Sequence, residues 1–190
     1  MRRVVALLAL SVLPLSAGCR ADMADGPAGP ERAASLHSSG IVASATGSGH
    51  QQRADGSLRK FTISAVAHAD GTASGQYDLM VGPLDFLKAD GISPPVLRLH
   101  GTVTCLTVVG SSAFIGATVD ANTNAALFFG REDFTGAAIE LIDNDGTGQP
   151  DEISAVAVYF PETGSTPQDY CDDPVPGPVS PIDQGNITVR

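Results

Sequence analysis

The feature that most narrows the fold of this 190-residue chain is a two-residue alternation in its middle. Phe61, Ile63, Ala65 and Ala67 alternate with Thr62, Ser64 and His68. Asp70-Gly71 then supplies a turn of the two-residue kind that needs positive φ. On the return, Tyr77, Leu79 and Val81 alternate with Gln76 and Asp78. Successive strand side chains point to opposite faces, so this pattern specifies a hairpin with one wet and one buried face.

The same logic extends along the chain. Leu97, Leu99, Val103 and Cys105 share one face, against Arg98, His100, Thr102 and Thr104. Gly110-Ser111 turns the chain, and Ile115, Ala117 and Val119 continue inward. Ala138 to Ile142 is expected to pair with Ile153 to Phe160 across an acidic loop, and Gly185 to Arg190 makes a short last strand. Asp85 to Asp90, stopped by Gly91, is expected to make one helical turn. The expected fold is all-β, an antiparallel β-sandwich or barrel of about eight short strands.

The N-terminus fixes where such a domain works. Arg2-Arg3 precedes an apolar run from Val4 to Leu15, and Ser16-Ala17-Gly18 leads into Cys19. This is a secretory pattern, with a run too short for a permanent transmembrane helix. It resembles a bacterial lipoprotein signal, in which the peptide is removed and the new N-terminal cysteine carries lipid. Ser16 stands where such signals usually hold a large aliphatic residue, and the alternative is an ordinary secretory signal cut after Gly18 or Ala21. The expected organisation is a signal peptide over 1–18, the lipid-attachment cysteine and a flexible tether over 19–46, and a single β-domain over 47–190. The tether is rich in Ala, Gly, Ser and Pro and has no sustained periodicity, although Ser38 to Gly47 could already begin a strand. The chain is thus expected to be exported and lipid-anchored in the cell envelope, or else secreted.

Cysteine arithmetic agrees. There are three cysteines, and an odd thiol in a secreted protein needs an explanation. If Cys19 carries lipid, Cys105 and Cys171 remain as one pair, expected to form a structural disulfide. The alternative is a catalytic thiol.

Charge excludes one class of partner. Without the signal, nine basic side chains face twenty-one acidic ones, a balance of −12. Such a surface repels phosphate backbones, so nucleic acid is not an expected partner. Seven Phe, three Tyr and no Trp also leave few of the aromatic platforms that carbohydrate-binding surfaces use. The expected partners are the membrane, through the anchor, and an unidentified protein or envelope ligand.

The segment from Asp143 to Glu152 is the sharpest local signal for a ligand. Counted from Asp143, oxygen-bearing residues fall at the first, third, fifth and ninth places, namely Asp143, Asp145, Thr147 and Asp151, with Gly148 at the sixth. That is the spacing of a calcium loop up to its ninth place. The twelfth place holds Ser154 instead of a bidentate glutamate. The competing expectation is a plain turn between two strands, which needs the same Asp, Asn and Gly residues. No cofactor is expected beyond this candidate Ca2+. The four histidines, His37, His50, His68 and His100, show no metal-ligand spacing, and no H-E-x-x-H or G-x-S-x-G motif occurs.

Several phrases in order carry a wider resemblance: Gly47-Ser48-Gly49-His50, Leu58-Arg59-Lys60-Phe61, His68-Ala69-Asp70-Gly71, His100-Gly101-Thr102-Val103-Thr104-Cys105-Leu106, Val108-Val109-Gly110, Asp143-Asn144, Pro150-Asp151-Glu152-Ile153-Ser154, Cys171 and Gly185-Asn186. Together they resemble a family of small secreted or lipid-anchored bacterial proteins rich in β-strand. The resemblance implies a β-fold outside the cytoplasm and supplies no catalytic residues. It also implies fewer acids in the loop after Asp143-Asn144, which leaves Asp145 without a required role. The functional expectation is a non-enzymatic binding or structural module of the envelope. The alternative is an extracytoplasmic hydrolase with a dispersed site.

Overall fold

The computed structural model describes residues 40–83 and 95–190. The signal segment, Cys19, His37 and the helical turn expected at Asp85 to Asp90 lie outside the described residues. The chain forms β1 (Ile41–Gln52), β2 (Leu58–His68), β3 (Ala73–Gly82), β4 (Leu97–Val109), β5 (Ser112–Thr118), β6 (Ala121–Thr123), α1 (Ala125–Phe129), β7 (Gly136–Ile142), β8 (Glu152–Ser154), β9 (Ala157–Tyr159), α2 (Pro167–Asp172), β10 (Val179–Pro181) and β11 (Gln184–Val189). A 3-10 turn at Pro161–Thr163 precedes α2.

The fold is all-β and antiparallel, as the alternation requires. The strands follow the order β10-β8-β7-β5-β4-β3-β2-β1-β11, with β6 on the free edge of the first half of β4 and β9 on β7. This sheet curls into a half-barrel. Its two ends meet along the chain, because only Ile182 and Asp183 separate β10 from β11. The Ile182 N–H donates to the Asp151 carbonyl and the Asp183 N–H to the His50 carbonyl, each at 2.9 Å. The link therefore bonds to both ends of the sheet at once.

The expected hairpin has the expected register, with Phe61 opposite Leu79, Ile63 opposite Tyr77 and Ala65 opposite Gly75. Its turn differs in one respect. Three residues, Ala69 to Gly71, form the loop, with the Gly71 N–H bonded to the His68 carbonyl and the His68 N–H to the Thr72 carbonyl. Gly71 takes φ 83°, the left-handed residue that a three-residue loop needs. The β4–β5 turn at Gly110-Ser111 is the expected two-residue one.

The core is the concave face of the sheet. Phe61, Ile63, Leu79, Leu99, Val103, Ile115, Leu141, Ile153 and Ile187 are all buried there. β5 and β7 are buried on both faces, because α2 lies across their other side. Tyr170 meets Phe114 edge to face at 5.6 Å. Pro167 sits over Gly116 and Gly136, where a Cβ would lie 2.6 Å from the Pro167 oxygen and 2.2 Å from its ring respectively.

β1 starts at Ile41, inside the segment expected to be tether. Four of its inward positions are small, Ala43, Ala45, Gly47 and Gly49, and the next is Gln51. They give little hydrophobic signal, yet β1 pairs along its length with β2 on one side and with β11 on the other. The ring of Phe61 fills the space beside Gly49, 3.3 Å from where a Cβ would stand.

Candidate functional site

The acidic loop folds back as its turn formers demand. The Asp143 Oδ1 accepts the Asp145 N–H at 2.9 Å, and the Thr147 hydroxyl donates to the Asn144 carbonyl at 2.7 Å. Asp143, Asp145 and Asp151 each bring one carboxylate oxygen within 4.8 Å of the others. Thr147 spends its hydroxyl proton inside the turn and accepts the Gln149 N–H at 3.1 Å.

Asp143 and Asp151 also serve a strand outside the loop. β11 donates its even-numbered N–H groups to β1, which leaves the odd-numbered ones facing away. The Ile187 N–H donates to Asp151 Oδ2 at 2.7 Å, and the Val189 N–H to Asp143 Oδ2 at 2.9 Å. Asp151 Oδ1 accepts the Asn144 N–H at 2.9 Å. Every oxygen of these two carboxylates thus accepts a main-chain N–H. Carboxylates acting this way satisfy the donors of an edge strand, which would otherwise template pairing with another chain. The same N–H dipoles offset the mutual repulsion of the acids.

A second polar group lies on the convex face. Thr62, Asp78 and His100 fall in one cross-strand row of β2, β3 and β4. His100 Nδ1–H donates to Asp78 Oδ1 at 2.9 Å. The pair lines an open depression of about 360 Å³ with Lys60, Arg98 and β6. Their side chains are 40% and 65% exposed, so this is a shelf and not an enclosed pocket. Among the described residues, neither side chain is hydrogen-bonded to a serine, threonine or cysteine. Asp120, nearby on the link to β6, accepts the Thr102 hydroxyl at 2.6 Å and the Thr118 hydroxyl at 2.8 Å. Those two hydroxyls hold its carboxyl below the usual aspartate range. His68 Nε2 lies 3.1 Å from the Ser74 hydroxyl.

Cys105 and Cys171 are bonded to each other across 66 residues. Cys105 comes from β4 and Cys171 from α2, and the Thr107 hydroxyl donates to the Cys171 carbonyl at 2.8 Å. The bond fastens α2 to the sheet. This is the expected disulfide, and neither sulfur is a free thiol.

Arg59 carries no motif that marks it as functional, yet it occupies an unusual place. Arg59 shares the inward parity of Phe61 and Ile63, and it is 7% exposed. Nη1 donates to the Ser154 carbonyl at 2.7 Å and Nη2 to the Ile153 carbonyl at 3.3 Å. Nε has no partner among the described residues. No carboxylate among them forms an ion pair with Arg59; the four ion pairs found involve Arg53, His100 and Arg131. Burial, then the charge of Arg53, pushes the Arg59 guanidinium down to about 10. Arg59 lines a cavity of about 660 Å³ where β1 ends and β2 begins.

No protein-family model, curated protein or solved structure matches this chain.

Proposed function

We propose that this chain is an exported, lipid-anchored β-module of the cell envelope that binds a ligand or partner and does not catalyse a reaction. The observation that carries the proposal is the Cys105–Cys171 bond. Disulfides persist in oxidising compartments, which fits the secretory pattern of residues 1–18. With those two consumed, Cys19 is the single cysteine outside the bond, and it stands where a lipoprotein signal places its acylated residue. The acids that looked most like a functional loop are engaged in holding β11, which supports an architectural role for them.

A fatty-acid analogue fed to cells should label the wild-type protein, and Cys19→Ser should move the protein from the membrane fraction to the soluble one. An unlabelled wild type whose mature terminus is another residue would refute the anchor.

The His100–Asp78 pair supports a second reading, an extracytoplasmic hydrolase, because a carboxylate-oriented imidazole is the base of many such enzymes. Hydrolysis of p-nitrophenyl esters by purified protein, abolished in His100→Ala, would favour that reading over the binding module.

A further inference from the structure

We propose that the cavity beside Arg59 binds a small amphiphilic carboxylate, with its acid group on the Arg59 guanidinium and its apolar body against Phe128, Phe129 and Val156. The proposal rests on reading the domain as a binding module and is independent of the lipid anchor.

A guanidinium carries five N–H donors, and a carbonyl carries no charge to balance it. Two donors go to the Ser154 and Ile153 carbonyls, which fix the plane of the group. Three remain: the Nε–H is enclosed and has no partner among the described residues, and one hydrogen on each terminal nitrogen is left for a ligand. A buried cation without a counter-charge is costly, and that cost falls when an anion binds. Among the described residues, the acids near the cavity are already committed. Asp183 accepts the Gln52 N–H, and Asp55 accepts both the main-chain and hydroxyl groups of Ser57 while facing Arg53 at 3.8 Å.

The shape and chemistry of the walls select among anions. A volume of about 660 Å³ lies in the range of small-molecule sites. A planar guanidinium fork matches a carboxylate. The aromatic and aliphatic part of the wall desolvates an alkyl or aryl body, and the other cation on the lining, Arg53, already faces Asp55 at 3.8 Å. The chain's net charge of −10 further disfavours polyanions.

The test uses the full disulfide-bonded protein and isothermal titration calorimetry with three probes: octanoate, the isosteric but uncharged octanamide, and sulfate. Octanoate should bind saturably, about tenfold or more tightly than octanamide, as a charge-assisted bond implies. Sulfate should show no saturable heat. Arg59→Lys, which keeps the charge but loses the fork, should bring octanoate close to octanamide. Ser180→Phe, at an exposed strand position that lines the cavity, should weaken both ligands and leave the Arg59 contacts in place. Equal affinity for octanoate and octanamide, no octanoate binding, or an unchanged preference in Arg59→Lys would each overturn the proposal. If Arg59→Lys fails to fold, the wild-type preference and the Ser180→Phe result still decide it. Ester hydrolysis together with octanoate binding would sink the non-enzymatic reading and leave this site standing.

Discussion

Asp151 Oδ2 accepts the main-chain N–H of Ile187 at 2.7 Å, across 36 residues of sequence. Asp151 is 7% exposed and Ile187 is fully buried. One side chain thus ends a turn and closes the outer edge of the last strand. Replacing Asp151 by Asn leaves a buried N–H facing an amide in place of a carboxylate. Asp151→Asn should lower unfolding free energy by about 1–3 kcal/mol in urea titrations. Asp145→Asn should stay within about 0.5 kcal/mol. Equal costs for the two would contradict the edge-capping role.

Calcium gives an independent check on the same loop. A cation bound only by the native state would raise the melting temperature through linkage. Edge capping by Asp143 and Asp151 predicts the same melting temperature in millimolar calcium and in chelator. A rise with calcium that Asp145→Asn blunts would support the calcium-loop expectation.

The disulfide ties α2 to β4 over 66 residues. On the chain-entropy model, Cys171→Ser should cost about 4 kcal/mol of stability. Denaturant titration of the variant, beside wild type with and without reductant, measures this. A loss of under about 1 kcal/mol would mean that α2 holds its place without the bond.

Gly101 makes room for a neighbour. A Cβ there would stand 1.9 Å from the Thr118 carbonyl oxygen and 2.4 Å from the Tyr77 ring. Gly101→Ala should destabilise by at least about 1–3 kcal/mol through overpacking. Gly110→Ala, where φ is 62° and nothing lies within 4 Å, should cost about 1 kcal/mol from backbone strain alone. The reverse ranking would contradict the packing.

Acid should act in part through Asp120. The Thr102 and Thr118 hydroxyls favour its ionised form, so its folded-state pKa lies below its unfolded one. Its contribution is therefore present above the unfolded value of about 3.9 and is lost as pH falls through the folded value. The stability difference between wild type and Asp120→Asn should narrow as pH drops from about 6 to about 3. A difference that widens on acidification would reverse the sign.

The sequence makes β2, β3 and β4 legible because each has one face in water and one in the core. Phe61 and Leu79 show this directly, since they lie opposite each other on the inward face. β1 is less legible, because its inward Ala43, Ala45, Gly47 and Gly49 gain their packing from the Phe61 ring and Ile187. α2 is hard to read from the sequence for a different reason. Its helix signal is one short turn in a Pro-rich stretch, and the disulfide and the Phe114–Tyr170 contact support it from outside. In the acidic loop, an Asp-Asn-Gly turn and a calcium loop need the same oxygen-bearing residues. That two of these carboxylates also accept N–H groups of β11, 36 and 46 residues on, could not be read from the sequence. Arg59 could have been placed inward by its parity with Phe61. Its carbonyl partners, 94 and 95 residues away, could not have been found from the sequence.

The most direct test of the account is peptide mapping by mass spectrometry, without reductant, of the protein extracted from membranes of the cells that make it. The account predicts an N-terminal peptide that begins at Cys19 and carries acyl mass, together with a linked pair of peptides holding Cys105 and Cys171. A mature terminus at another residue with an unmodified Cys19, or free thiols at Cys105 and Cys171, would contradict it.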